Sequence, residues 1–417
     1  MRIIGCAYML IIFAYVIQSS LRFGRQLVDP KAAEDPTRLE YNLFRLSPEG
    51  PKVDWGPAHF YRTDAQRSGL ASFGRFKSFV PSEVLDTLNV GVHSAVKSSP
   101  IGDDRRVFVG SDAGWFYAID RLSKQVLWRI YLPGARRGIH SNPIVQGDRV
   151  WIGDYSGRLF SLSAESGEIR WFRQLGNTIG ASPLLDGEFL YANVETTPFN
   201  GYLMKIEKRS GEVVWKSPAI GEQSHSSPAM SDDGRTLYLG ANNKMFFAIS
   251  EADGSILWRT ELQAEVKGAP VFFEGQVYTI DMLGNAYVLN AANGKLVSTR
   301  KLNSVAMSSP ALDRDARKIY FADMTHLYAF NSSGVILAAR KINKRSPSSP
   351  VLVKEKSHTR LFMICEDKSL CEISSDLSTV RKIHDFGKFV TSTPLLFDDQ
   401  IWVSLDEGGL FVLQGVN

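Results

Sequence analysis

The chain has 417 residues, 44% of them hydrophobic and 22% charged, the composition of an ordinary folded globular protein. Its 48 lysines and arginines against 44 acids leave a formal charge of +4. That excess is too small and too scattered for a nucleic-acid partner, and no basic stripe interleaved with aromatics occurs.

Residues 1–21 differ sharply from the rest of the chain. Arg2 precedes an uncharged, largely apolar stretch from Ile3 to Leu21, with Arg22 and Arg25 behind it. This is close to the roughly 20 residues that cross a bilayer. A positive start and an apolar core also describe a secretory signal, with Gln18-Ser19-Ser20 a poor cleavage site. Export is expected on either reading, with 1–21 as signal peptide or membrane anchor. Cys6 follows Ile3-Ile4-Gly5 but has almost no apolar core before it, so lipidation there is not expected. Residues 22–82 read as a linker and connecting segment, polar and proline-broken at Asp29-Pro30 and Glu34-Asp35-Pro36. Leu39 to Leu46 is more apolar, and Phe73, Phe76 and Phe79 predict that the later part packs against something.

Further along, a small residue followed by proline recurs at a nearly fixed interval. The positions are Ser99-Pro100, Asn142-Pro143, Ser182-Pro183, Ser227-Pro228, Ala269-Pro270, Ser309-Pro310, Ser349-Pro350 and Thr393-Pro394. A repeat of roughly 40 residues built from short strands describes a propeller blade, not a single-core domain. The second unit shows the grammar. Runs at Ile144-Val145, Val150-Trp151-Ile152, Leu159-Phe160-Ser161-Leu162 and Ile169-Arg170-Trp171-Phe172 are divided by turns rich in Gly, Asp and Ser. That pattern predicts a four-stranded antiparallel meander. No run carries a helical period, so the fold class is all-β.

The eighth unit contains only three strands before the chain ends at Asn417. Glu83-Val84-Leu85-Asp86-Thr87-Leu88 matches the missing fourth, the place held by Gln125 to Ile130 in unit one. The prediction is an eight-bladed β-propeller over 83–417, with the N-terminal strand pairing with the C-terminal three to remove the open edge. Seven blades result if one degenerate unit is a false match.

Trp128, Trp171, Trp215 and Trp258 recur on the fourth strands of units one to four, with Gly167, Gly211 and Gly254 four residues before the last three. Large rigid side chains there suit the wedge between neighbouring blades, each burying about 150–250 Å². The pattern Ala-x-Asp-x-x-x-Gly-x-x-x-Trp, preceded by a Ser-Ser-Pro strand, resembles the repeat of the pyrroloquinoline-quinone-type propellers. Asp54-Trp55-Gly56-Pro57 through Arg62 to Gly69 resembles the segment that precedes the first blade in that family. Units five to seven depart from it, with Ser298, Ala338 and Thr379 standing where tryptophan would be.

The resemblance implies one of two functions. Some members are quinoprotein dehydrogenases, holding the quinone (PQQ) and a calcium ion over the channel. Others are non-enzymatic, best known from the lipoprotein subunit of the outer-membrane β-barrel assembly machinery. Enzymatic members of the alcohol-dehydrogenase type resemble one another in adjacent cysteines, but Cys6, Cys365 and Cys371 are not adjacent. Cys365 and Cys371 flank a four-residue turn, where a disulfide across a hairpin and two partly buried thiols both remain open. The chain has no nucleophile elbow, no paired metal-binding histidines and no phosphate loop. Asp103-Asp104, Asp232-Asp233 and Asp398-Asp399 fall in turns, where acids favour tight hairpins. No metal and no cofactor is expected outside the dehydrogenase reading.

Two candidate binding surfaces emerge. The residue three before each proline should face the central channel, and round the ring it is Lys97, His140, Gly180, His225, Lys267, Met307, Pro347 and Thr391. With Arg136 and Arg137 these make a basic mouth suited to an anion or acidic partner; the plainer alternative is a hydrated channel. The stretch 194–201 lengthens a turn in unit three and offers Glu195 and Phe199 to a partner, against the alternative of loop variation without function. The expectation is a non-catalytic envelope scaffold whose partners are envelope proteins, among them a β-barrel insertase. A quinone-dependent dehydrogenase is the first alternative and a carbohydrate- or peptide-binding propeller the second.

Overall fold

In the computed structural model, the described residues are 55–59, 61–85, 98–135, 137–196, 200–221, 225–355 and 358–417. Every regular element among them is a strand. Eight four-stranded antiparallel units follow one another: blade 1 (101–131), blade 2 (144–174), blade 3 (184–216), blade 4 (229–261), blade 5 (271–301), blade 6 (311–341), blade 7 (351–385) and blade 8 (395–416). Three short elements precede them: β1 (Ala58–His59), β2 (Leu70–Ala71) and β3 (Ser78–Leu85). Blade 8 takes β3 as its fourth strand, from Ser78 opposite Val416 to Leu85 opposite Leu410. The architecture is the eight-bladed propeller that the proline period predicts.

The closing strand is displaced from its expected register. Leu85 occupies the place that repeat counting assigned to Leu88, and pairing starts at Ser78, ahead of the expected boundary at 83. The fourth strand of blade 8 carries no tryptophan to anchor the count, and its partner Leu410–Val416 runs on to the end of the chain. Blade 7 holds a second shift. There the residue opposite Glu372 is Arg381, so Arg381 rather than Thr379 stands at the tryptophan position. The bulge of that blade lies between Leu370 and Cys371, earlier than the equivalent step at Ala248 and Ile249 in blade 4.

The ring explains why a small polar residue precedes the prolines. Proline has no N–H to give, so the preceding residue makes the contact between blades. Asn142 N donates to Ser182 Oγ (3.1 Å), Ser182 N to Ser227 Oγ (2.9 Å), Ala269 N to Ser309 Oγ and Ser309 N to Ser349 Oγ (both 2.9 Å). Ser99 N donates to Asn142 Oδ1, and Thr393 N donates to Ser99 Oγ at 3.0 Å, carrying the chain of bonds from blade 8 to blade 1.

Each tryptophan leans onto the next blade. The indole N–H groups of Trp128, Trp171, Trp215 and Trp258 donate to Ala164, Lys208, Glu251 and Ala291 carbonyls at 2.9–3.3 Å. Their rings lie over Gly167, Gly211, Gly254 and Gly294, where an added methyl would stand 2.4–2.7 Å from indole atoms. So the glycine that precedes Trp171 serves Trp128 of the blade before.

Residues 55–73 thread the central channel. β1 pairs antiparallel with the inner strand of blade 2, and β2 pairs parallel with that of blade 7. Between them, the carbonyls of Ala65, Gln66, Ser68 and Gly69 accept from Met230, Phe272, Leu312 and Leu352, one in each of blades 4 to 7. Arg67, fully buried, donates to Pro228 O (2.9 Å), Pro183 O (3.0 Å), Ser182 O (3.3 Å) and Tyr61 O (2.5 Å). Beyond the channel, Phe73 packs on Phe76 at 5.5 Å and on Phe362 of blade 7 at 5.4 Å. Phe79 joins them, stacked on Phe73 at 6.1 Å.

Candidate functional site at the channel mouth

In a meander, the turns between second and third strands share one rim with the blade-to-blade connections. We call this the upper rim. It gathers most of the residues singled out from the sequence. His140 Nε2 lies 2.9 Å from Asp112 Oδ1, and its ring centroid is 4.0 Å from that of Tyr155. On the far side, Tyr155 stacks with His225 at 5.9 Å and 17°. His225 Nε2 faces Glu195 Oε1 at 3.9 Å. Arg137 lies over the Tyr155 ring at 4.8 Å and donates to Thr178 Oγ1 at 3.2 Å. Gly180 is where this stack needs room: a methyl there would meet His225 Nδ1 at 2.7 Å and Tyr155 Cε2 at 2.9 Å. Lys267 Nζ donates to Asn242 Oδ1 at 2.6 Å.

The electrostatics differ from the expected basic mouth. The turns of blades 1 and 3 bring Asp112 to His140 and Glu195 to His225, and Asp406 of blade 8 accepts from Thr391, so the rim carries mixed charge. Glu195 is 4% exposed, and burial pushes its carboxyl up to about 7 although Lys267 and Arg137 oppose this. Burial likewise pushes Asp154 up to about 6, against the N–H groups of Arg158 and Ser156. It also draws the Lys267 ammonium down, with Glu265 and Glu195 opposing. Glu195 is therefore not an exposed loop acid but part of the mouth's interior. The hairpin that carries it is long, with Phe189–Thr196 paired to Asn200–Glu207. Phe199, Lys97 and Arg136 lie outside the described residues, as does the expected anchor 1–21.

Sequence reading missed Asp112, Tyr155, Asn242 and Asp406. A signal for them existed. An acid closes the second strand or begins the turn after it in several units, as in Ser111-Asp112, Asp154, Asp281 and Asp323. Much of this recurrence is structural: Asp281 Oδ1 accepts from Asn285 N at 2.9 Å and Asp323 Oδ1 from His326 N at 2.7 Å. Beside the charged half, blades 5 and 6 contribute an apolar arc of Leu283, Val305 and Met307, 40–49% exposed. In blade 7, Cys365 and Cys371 form a disulfide across the hairpin of the second and third strands, with Cα atoms 5.8 Å apart.

Asp112 and Glu195 each face a histidine, and among the described residues no group of three or more His, Cys, Asp or Glu is placed to hold a metal ion.

A family model described as outer membrane protein assembly factor BamB matches residues 80–171 and 199–411, which is more than half of the chain. The chain belongs to the BamB family. The curated Escherichia coli (strain K12) BamB is 22% identical over 175 residues, covering 39% of this chain and 42% of that protein. The match thus spans less than half the length of that relative. Among solved structures, BamB from Moraxella catarrhalis superposes with a TM-score of 0.60 at 16% identity, covering 80% of this chain and 98% of that one. Quinohemoprotein alcohol dehydrogenase from Comamonas testosteroni gives 0.68 at 12% identity, covering 92% and 83%. At such identities the structural likeness is one of fold, and it extends to enzymes and non-enzymes alike.

Proposed function

We propose that this BamB-family propeller is a non-catalytic scaffold of the cell envelope that holds together proteins of outer-membrane β-barrel assembly. The family match over both halves of the propeller carries the reading. The upper rim supports it chemically. Its histidines and acids are turned on one another instead of being held free for a substrate, and further round the rim, after Lys267, come the exposed Leu283, Val305 and Met307 of blades 5 and 6. An exposed apolar patch on a rim of polar and charged side chains is the usual make-up of a protein–protein interface. The scaffold needs no cofactor, and residues 1–21 hold it at the membrane on the exported side.

The test is a mild-crosslink pull-down of the tagged full-length protein from its native membranes, read by mass spectrometry. A barrel insertase and its companions should be recovered, and Met307→Asp combined with Arg137→Glu should cut that recovery at least tenfold without altering the melt. Recovery of electron-carrier proteins instead, or of nothing reproducible, overturns the reading. So does dye-linked alcohol oxidation above background after reconstitution with quinone and calcium.

A further inference from the structure

On the lower side of the serine–proline ring, the threading segment leaves part of the channel open. A cavity of about 310 Å³ lies between residues 59–72 and the inner strands of blades 7, 8 and 1. Its wall is largely apolar, with Leu70, Ile101, Val351, Leu395 and Phe397. Thr63 and Leu70 are exposed where it opens to solvent.

Two observations define what fits there. The first is a backbone edge left without a partner among the described residues. In blades 4 to 7 the inner-strand N–H two residues past the proline is bonded by the threading segment, and in blade 2 the inner strand pairs with β1. The equivalent residues in blades 8 and 1 are Leu396 and Gly102, both in the cavity wall. Gly102 sits opposite Val107, between the pairs Ile101–Phe108 and Asp103–Arg106, and Asp103 N donates to Arg106 O at 2.9 Å. Bonded and non-bonded pairs alternate in antiparallel strands, so the N–H and C=O of Gly102 turn away from their own blade and towards the channel. Leu396, opposite Ile401 and next to the turn pair Phe397–Gln400, has the same phase.

The second observation is a buried cation. Arg62 lines the cavity and is 5% exposed. One guanidinium nitrogen donates to Pro350 O at 2.6 Å and another to Pro310 O, while Nε has no hydrogen-bond partner among the described residues. Of the nearby carboxylates, Asp64 supports the Arg62 charge through space without a hydrogen bond to it. Asp64 accepts from the N–H and hydroxyl of Ser68, and Asp398 at the opening faces Arg121 at 3.6 Å. Burial alone would push the Tyr61 hydroxyl up, yet Arg62 and the hydroxyls of Ser309, Ser349 and Thr393 outweigh it and hold it below its ordinary value. The local field favours negative charge.

We propose that this cavity binds a short carboxylate-ended peptide group. Its main-chain amide lies against the edges of Gly102 and Leu396, an apolar side chain sits among Leu70, Ile101 and Leu395, and its carboxylate points towards Arg62 and Tyr61. Strand dimensions give roughly 160 Å³ per residue, so the space holds about two residues. The mode is strand addition, in which main-chain bonds supply affinity and side-chain pockets supply selectivity. The same channel already uses it for β1 and β2. A free N-acylated amino acid or dipeptide and the C-terminus of a protein chain share this chemistry.

Isothermal titration of the purified full-length protein tests the site with three probes: N-acetyl-Ala-Leu, its C-terminal amide, and a decapeptide ending in Ala-Leu with a free carboxylate. The acid should bind, and the amide at least tenfold more weakly. Leu70→Trp, a change at an already exposed position that fills the opening, should abolish binding while leaving the melt unchanged. Binding of the decapeptide identifies protein C-termini as the source, and binding of the short acid alone identifies a free small molecule. No heat with millimolar acid, or acid and amide bound equally by the unaltered protein, overturns the proposal. So does binding that survives in a folded Leu70→Trp variant.

Discussion

Gly254 belongs to blade 4 and Trp215 to blade 3, yet each position is intelligible only through the other. The turn residue at Gly254 has φ +74, and a methyl there would stand 2.6 Å from the indole. Where the preceding blade has no tryptophan a side chain can stand there, although blade 6 keeps Gly334 against Ser298. Leu377 takes the equivalent turn position after Ala338, with φ +61, and Lys124 takes it in blade 1 with φ +63. Gly254→Ala should therefore cost about 2–4 kcal/mol, the strain of a positive φ plus overpacking. Gly275→Ala, with φ +71 and nothing within 4 Å, should cost about 1 kcal/mol. Urea midpoints at unchanged m-value distinguish the two, and equal losses would mean that the indole contact contributes nothing.

Glu195 supplies a second residue-scale test. Burial raises its carboxyl from 4.5 to about 7 in the folded chain, so the folded state binds more protons than the unfolded one across that window. Stability then falls as pH rises from 4.5 to about 7, by as much as about 3 kcal/mol at 1.36 kcal/mol per unit. Burial of Asp154 acts in the same direction from 3.8 to about 6. Glu195→Gln should flatten the higher window, gaining stability above pH 7 and converging with the parent below pH 4.5. Parallel midpoint curves for the two proteins from pH 4.5 to 8 would refute this account.

Among the elements, the threading segment departs most from what the sequence displays. Its similarity to a family pre-blade segment is visible at Trp55 to Gly69, but its route through the channel is not. Four of its bonds run from main-chain carbonyls to inner-strand N–H groups, and such bonds leave no residue code. Arg62 and Arg67 are the visible trace, two cations within a stretch that becomes deeply buried. Arg67→Met should remove four donors from buried carbonyls and cost about 3 kcal/mol or more. Gln66→Ala, whose side chain reaches only Ser231 O at 3.5 Å, should cost under about 1 kcal/mol. Thermal melts of the pair check the contrast, and a mild Arg67→Met would show that the segment is held by its backbone alone. The misplacement of Thr379 has a similar origin. A count of residues between strands fails where a bulge moves along the ladder, and only the pairing reveals Arg381.

At the scale of the whole molecule, the proline period made the architecture legible because each blade repeats the same local physics: a small residue, a proline, four strands and three turns. The reason for the small residue was not legible, since Ser182 serves Asn142 one blade away. The channel mouth was half legible for the same reason. His140, His225 and Lys267 come at fixed steps before the prolines, whereas the acids that balance them arrive from turns of other blades. Leu283 comes from the blade 5 turn and Val305 and Met307 from the connection after that blade, and the bond from Ala306 N to Met282 O brings the two together.

That closure also sets an order in time. Synthesis proceeds from the N-terminus, so the threading segment and β3 are made before any blade, while the partner of β3, Leu410–Val416, comes after the other seven. The inner strands that receive residues 58–71 appear one blade at a time in between. β3 alone has no partner until Leu410–Val416 has emerged. Loop closure over nearly the whole chain makes such a step slow, and until it occurs every intermediate has an unpaired blade edge. The ring therefore closes only once all eight blades have been made, and until then its open strand edges remain available for other pairing.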